Sequence, residues 1–385
     1  MVMDSTVIFE YQWPYLLSFL PPEHELERTA RETGALRRKR QVRSASALLR
    51  LAFAYGFCGL TLRQTAAWAE VVDVASLSDV ALLKRLRSAS EWLGLLLGLK
   101  LAERAPPPLQ NGRKLRLRLV DATTISKPGS TGTDWRVHMR YDLAKLSINH
   151  VELTDHRGGE TLTRFQFEAG DVVVGDQGYA HRRGIYAAVA AGADFLIRIN
   201  WQNVPLEHQG GEPLDIIDVL RGLPEVDAGD FDVRVKRSAK DKIPAVPARL
   251  VAVRKSESAA EAARRRVMKE RIKKSRALDP RTLEAASYIF VLTSLPRDVV
   301  AAKDVLDIYR FRWQIELAFK RMKSLLSLGD LPARDPPLAR CFIYTKLLAA
   351  LLLEDFTNEF LAFSPWGFRL GNTPTIAVAY SESTD

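Results

Sequence analysis

Four residues in the last quarter of the chain, Tyr309, Arg312, Glu316 and Lys323, combine a phenol, a guanidinium, a carboxylate and an ammonium at offsets that suit one helix face. The stretch Ile308 to Leu326 contains no Gly or Pro, and Ile308, Phe311, Ile315, Ala318, Phe319, Met322 and Leu326 recur with helical period. At about 100° per residue this predicts one continuous helix with an apolar stripe, on whose border the four polar residues fall within roughly 60° of each other. Two chemistries fit such a row. Glu316 can hold a cation while its basic neighbours grip an anionic substrate. Alternatively Arg312, Glu316 and Lys320 can form i,i+4 ion pairs on a solvated face, each contributing about 0.2–0.5 kcal/mol.

Two aspartates widen the choice. Asp121 in LVDATT and Asp176 in VVVGDQGY each follow an apolar run that reads as a strand, and open α/β sheets place their ligand crevices at the carboxyl ends of strands. A single Asp there more often serves a turn or a cap. Three carboxylates brought to one point repel, so such a cluster needs a counter-charge. Oxygen-only ligands select hard cations, so Mg²⁺ or Mn²⁺ is the expected cofactor. The six histidines (His24, His138, His150, His156, His181, His208) show no zinc spacing. Two such ions about 3.5–4 Å apart can activate a water or a 3′-hydroxyl and stabilise the leaving oxygen of a phosphodiester.

The elements that must position these groups are legible in outline. Residues 1–105 read as helical and end at the breaker RAPPPLQNGRK. Within them lies the basic cluster RRKRQVR, Arg37 to Arg43. Further on, LTLRQTAAWAEVVDVASLSDVALLKRLRSA suggests two helices joined by a short turn, the second capped by Ser76 or Ser78. This pair fits a helix-turn-helix that turns Lys84, Arg85 and Arg87 toward DNA, and it equally fits an ordinary amphipathic helical domain. From Leu115, LRLRLVDATTI, DWRVHMRYDLA and LSINHVELTDH alternate as an antiparallel meander, and GDVVVGDQGYAHRRGIYAAVAAGADFLIRIN gives strand, helix, strand. The expected fold class is therefore α/β, with a ribonuclease-H-like mixed sheet over residues 113–200 and 288–330. Residues 201–287 read as a β-rich insertion with a basic helix over Arg264 to Arg276, and 331–385 as a helical C-terminal segment and tail. In that layout the first strand neighbours the strand before Asp176, the helix of Glu316 crosses the same end, and three acids face one point.

Composition fits a polyanionic partner. The 385 residues carry a formal net charge of +10 and a sequence pI near 9.6, and 47% of them are hydrophobic. From Leu331 onward acidic residues outnumber basic ones, so any nucleic-acid surface belongs to the first 330 residues. Cys58 and Cys341 stand far apart, outside any zinc or disulfide spacing. No apolar run reaches the roughly 20 residues that span a bilayer, and the acidic start lacks a signal-peptide pattern. No P-loop or GxGxxG occurs, so a nucleotide cofactor is not expected. A cytoplasmic protein follows, without a membrane partner.

VDATTISKPGSTGTDWRVHMRYDL, GDVVVGDQGYAHRRG and YRFRWQIELAFKRMKS together resemble the three catalytic blocks of DDE transposases from bacterial insertion sequences. Within that family the chain resembles the subgroup with a Tyr-Arg-Glu-Lys signature, whose gaps Tyr309, Arg312, Glu316 and Lys323 reproduce. The resemblance implies that Asp121, Asp176 and Glu316 hold two metal ions and that Tyr309, Arg312 and Lys323 grip phosphates beside the cut. It further implies double-stranded DNA as partner, both transposon inverted-repeat ends and target, with cut-and-paste transposition through a hairpin intermediate. A homodimer in the DNA complex and association with the bacterial nucleoid follow from it too. Two features depart from the family: Gln177 stands where a basic residue is common, and the tail SPWGFRLGNTPTIAVAYSESTD does not resemble a helical pairing segment. A truncated or inactive DNA-binding relative is thus one alternative. A tyrosine recombinase with Tyr309 as nucleophile is another.

Overall fold

The structure, a computed structural model, describes residues 13–103, 115–145, 147–224, 227–273 and 279–362, together with Ala277. The Pro-rich break at 104–114, the last residues of the expected basic helix and the tail from 363 lie outside the described residues, as do residues 1–12. Two compact units are present, one holding residues up to Leu93 and from Tyr344 onward, the other Gly94–Ile343.

The first unit is built from helices α1 (Trp13–Ser18), α2 (Glu23–Glu32), α3 (Ala45–Gly56), α4 (Leu62–Val71) and the opening part of α5 (Asp79–Glu103). Each start has a local cause. Ser44 Oγ accepts from the Ala47 amide at 3.0 Å, Thr61 and Gln64 form a reciprocal capping box, and Ser78 Oγ accepts from the Ala81 amide at 3.2 Å. Ser78 is thus the cap of the pair's second helix. The joint over residues 72–78 is longer than the tight turn of a helix-turn-helix. In α5, Leu82, Leu86, Ala89, Trp92 and Leu93 are buried, and the Trp92 indole N–H donates to Thr29 Oγ1 at 3.1 Å. Lys84 and Arg87 stay exposed on the other side. A side chain at Gly56 would meet Thr345 Cβ at 2.7 Å, so only glycine lets these backbones approach.

The second unit carries one ten-stranded sheet. Its strands are β1 (Arg116–Ile125), β2 (Trp135–Asp142), β3 (Ser147–Asp155), β4 (Asp171–Gly175), β5 (Asp194–Arg198), β6 (Leu206–Glu207), β7 (Pro213–Leu214), β8 (Gly229–Val235), β9 (Val246–Arg254) and β10 (Tyr288–Thr293). The helices are α6 (Arg182–Ala190), α7 (Ile216–Arg221), α8 (Glu257–Lys273), α9 (Pro280–Ala285), α10 (Ala302–Arg310), α11 (Trp313–Leu325) and the start of α12 (Pro336–Ala362). The order across the sheet is β3-β2-β1-β4-β5-β10-β9-β8-β6-β7. β1, β2 and β3 are antiparallel neighbours, while β4 and β5 run parallel to β1 with α6 between them, which is the ribonuclease-H-like arrangement expected. β4 is buried at every residue, as a strand covered on both faces must be. The strands of residues 201–287 continue this same sheet: β10 pairs antiparallel with β5 on one side and β9 on the other. A single core runs beneath both parts, from Val120 and Val173 through Phe195 to Leu250 and Leu292.

Two expectations are corrected. The segment 308–326 is two helices, since Phe311 and Arg312 form a turn in which the amides of Phe311, Arg312, Gln314 and Ile315 each bond three residues back. That tightening eclipses residues three apart, and it seats the Arg312 guanidinium 5.8 Å from the Tyr309 ring centroid. No Gly or Pro announces the break. The other correction concerns length: Pro336–Thr357 is long and apolar enough to cross a membrane, but 72% of its most apolar window is buried inside the protein, as in a core helix.

One ionic cluster fixes the centre of the sheet. Arg118, fully buried in β1, pairs with Asp142 of β2 and with Asp171 of β4 at 2.9 Å, and Arg116 also reaches Asp171 at 2.9 Å. Removing the guanidinium leaves two buried carboxylates short of their partner, a loss of about 3–5 kcal/mol. Arg118→Met should therefore lower the urea midpoint substantially with an unchanged slope. An unaltered midpoint would show that the cluster does not hold the sheet.

Candidate active site

The ladder between β1 and β4 ends at the pair Leu119–Val174, and β1 then continues beside β2 alone as far as Ile125. Asp121 and Asp176 each lie two residues beyond that pair, so they stand level with each other on adjacent chains. Asp176 follows the last residue of β4, as the sequence suggests. Asp121, by contrast, lies inside β1, opposite Met139, because β2 extends the strand past the point where β4 leaves it. On the far side Gly175 pairs with Ile197, which sets Arg198 level with Asp176. Acid, acid and arginine thus form a row across three parallel strands.

Both aspartates use one oxygen locally. Asp121 Oδ1 accepts from the Ala122 amide at 2.8 Å, and Asp176 Oδ1 accepts from the Gly178 amide at 2.8 Å, capping a single 3₁₀ turn. The second oxygen of each has no protein donor among the described residues. Helix α11 packs against β1 and brings Glu316 to the row. Burial first, then the negative charges of Asp176 and Glu316, raise the Asp121 pKa to about 7 against the opposing Ala122 amide and Arg312. The charges of all three expected acids therefore meet at Asp121.

Their oxygens do not converge to coordination distance. Among the described residues no group of three or more His, Cys, Asp or Glu side chains is close enough to hold one metal ion. Glu316 is instead bonded to the Arg312 guanidinium, the i,i+4 pair that the spacing also allowed. The donor set is nevertheless that of a hard cation: oxygens only, partly desolvated, with mutual repulsion that a positive charge relieves.

The remaining row is in place. Tyr309 keeps a buried hydroxyl without a hydrogen-bond partner, and burial raises its pKa although Arg312 and Arg198 oppose the shift. Arg312 keeps a raised pKa despite burial, because Tyr309, Glu316 and Asp121 favour its charge. Lys323 is exposed further along α11. In the other unit Lys84 and Arg87 are exposed, and Arg85 donates to the Arg38 carbonyl at 3.0 Å, which ties it to the basic cluster.

Sequence reasoning missed Arg198, Glu160 and Tyr179 here. Arg198 faces the same row and Gln177 is exposed beside it, while Glu160 and Tyr179 share the electrostatic surroundings of Asp176. Arg198 could have been found by counting residues along both strands of the strand-helix-strand unit. Glu160 lies in an irregular connection and has no such signal.

The family described as Transposase DDE domain matches residues 112–352. The chain is 43% identical over 355 residues to transposase InsL for insertion sequence element IS186A of Escherichia coli (strain K12), covering 92% of this chain and 96% of that protein. It is likewise 43% identical over 356 residues to the transposase for insertion sequence element IS421 of Escherichia coli, with the same shares covered. Among solved structures, a piggyBac transposase synaptic complex with hairpin DNA aligns with 94% of this chain and 76% of that one, at 9% identity and a TM-score of 0.46, a likeness too slight to bear on the site. Matched by that family over most of its length and by these bacterial relatives nearly end to end, the chain belongs to the DDE transposases of insertion sequences.

Proposed function

We propose that Asp121, Asp176 and Glu316 together hold two divalent ions, Mg²⁺ or Mn²⁺, with which this transposase cuts its inverted-repeat ends and joins them to target DNA. The observation that carries the reading is the meeting of the three carboxylate charges at Asp121, on the sheet row that also bears Arg198. When bound, the ions would activate a water or a DNA 3′-hydroxyl as nucleophile and stabilise the leaving oxygen. The chain's own side chains do the rest. Arg312 offers a planar fork to a phosphate beside the cut, Tyr309 can donate its unpartnered hydroxyl to a phosphate oxygen, and Lys323 adds a point charge further along the helix. This assigns the chain to the Tyr-Arg-Glu-Lys subgroup, and with it cut-and-paste transposition through a DNA hairpin.

End recognition is assigned to the helical unit, where Arg85 and the Arg37–Arg43 cluster lie together and Lys84 and Arg87 are exposed. The described part of α8, basic and largely exposed, adds affinity for backbone phosphates without reading bases. The active assembly on DNA is a homodimer working on the bacterial nucleoid in the cytoplasm. A tyrosine recombinase is disfavoured because it would leave the level pair Asp121 and Asp176 without a role.

Asp121→Asn, Asp176→Asn and Glu316→Gln should each abolish Mg²⁺-dependent nicking of inverted-repeat DNA while leaving end binding in a gel-shift assay within about twofold, because each removes a ligand and no DNA contact. Nicking retained by any one variant would take that residue out of the site.

Asp121 also predicts a pH dependence. Its folded pKa of about 7 stands above the ordinary 3.8, so between these values the folded state holds a proton that the unfolded state has released. This group's stabilising contribution in the metal-free protein is complete below about pH 4 and is lost as pH rises toward about 7. Urea unfolding across that window should show a steeper loss in the wild type than in Asp121→Asn. Parallel curves would remove the repulsion argument.

Footprinting locates the reading surface. Full-length protein should protect inverted-repeat DNA in preference to random duplex at matched salt, and Lys84→Ala with Arg87→Ala should lose that preference while retaining salt-sensitive binding. Selectivity undiminished in the double variant would move recognition elsewhere.

A further inference from the structure

Glu160 is a partly buried carboxylate with neither a hydrogen bond nor an ion pair among the described residues. Its surroundings should supply one. Arg136 and His181 are near enough for their charges to act on it, yet the Arg136 Nη1 is committed to the Gly158 carbonyl at 2.8 Å. What Glu160 does touch is the turn that carries Asp176. A Cβ placed on Gly178 would stand 1.9 Å from Glu160 Oε2 and 3.0 Å from Asp176 Oδ1, so those two oxygens flank one glycine and lie no more than about 4.9 Å apart. Any side chain at position 178 would push the two acids aside.

A second feature belongs to the same turn. Tyr179 is fully buried, and its hydroxyl has no hydrogen-bond partner. Burial first, then the charges of Asp121, Glu160 and Asp176, hold the pKa of that phenol far above the ordinary value against the opposing charge of Arg136. A buried donor without an acceptor is costly unless another state of the site supplies one. Three carboxylates drawn together around a cation would do so.

We propose that Glu160 is a fourth carboxylate of the metal cluster, held beside Asp176 by the absence of a side chain at Gly178, at the turn that also carries Tyr179 with its unpartnered hydroxyl. The proposal rests on the metal-binding reading of Asp121, Asp176 and Glu316 and adds a ligand to it from the connection between β3 and β4. Arg136 and His181 act on this carboxylate, yet neither pairs with it.

The test is uptake of Mn²⁺ by the full chain without DNA, followed through the paramagnetic resonance signal of the free ion. Wild-type protein should bind Mn²⁺, Asp121→Asn should bind it far more weakly, and Glu160→Gln should lose at least about tenfold in affinity for one ion. Gly178→Ala, which displaces the Glu160 carboxylate and crowds that of Asp176, should lose at least as much, and thermal melting of both variants should report a retained fold. Wild-type affinity in both Glu160→Gln and Gly178→Ala, alongside weakened binding in Asp121→Asn, would overturn the fourth ligand and leave the three-acid reading standing. Failure of the wild-type chain to take up Mn²⁺ would overturn both.

Discussion

The structure depends on the buried ion cluster of Arg118. Its guanidinium lies between Asp142 and Asp171, directly joining β1 to the strands on either side, and each acid is satisfied further by backbone amides: Asp142 by Ala144 at 3.0 Å and Asp171 by Glu168 at 3.0 Å. Buried ion pairs contribute little net stability against a hydrophobic replacement, but they penalise every arrangement that separates the partners. In a sheet that penalty acts on register. A slip of one residue between β1 and β4 would turn the side chains of β1 to the opposite face and strand Arg118 against apolar neighbours. The pairs Arg116–Asp171 and Arg118–Asp142, each directly opposed across a ladder, allow only one alignment.

That alignment sets the row on which the proposed chemistry rests. With Leu119 fixed opposite Val174, Asp121 and Asp176 must arrive level, and the next ladder brings Arg198 to the same row. The cost appears as repulsion: Asp121 loses hydration, gains two like-charged neighbours, and its pKa climbs to about 7. Local backbone amides and Arg312 offset part of this and no more. A protein interested only in stability would replace such a group. Such a group at the mouth of a sheet, with a basic row beside it, supports the proposed reading of a site for a cation and a polyanion.

What the sequence disclosed and what it hid divide along a physical line. Alternation over LRLRLVDATTI and the unbroken apolar run before Asp176 are local, so the meander, the parallel pair and the nearness of Asp121 to Asp176 could be read directly. The union of the two halves into one sheet could not be read, because nothing in YIFVLT says that its two edges pair with β5 and β9 rather than with each other's neighbours. The break at Phe311–Arg312 was equally hidden: it contains no Gly or Pro, and the stacking of Arg312 on Tyr309 that accompanies it is a tertiary choice between two helical windings. Glu160 escaped notice because its meaning comes from Gly178, eighteen residues away in the chain and visible only when both flank the same turn.

The two readings of the Glu316 row are not rivals. Arg312 and Glu316 do form the i,i+4 pair of a solvated helix, yet the same guanidinium acts on Asp121 and lies over Tyr309, which no surface pair requires. A guanidinium has donors to spare after one bond to a carboxylate, and its planar fork can serve a phosphate from the remaining edge. On the proposed function the ion pair is then an orienting contact: it holds the Glu316 carboxylate and the Arg312 fork in one geometry before either meets its ligand. The tightened turn at 311–312 serves that end, since winding three residues to the turn puts Tyr309 directly beneath Arg312 and limits where the fork can point. Pre-orienting a charge in this way removes side-chain entropy that binding would otherwise have to overcome.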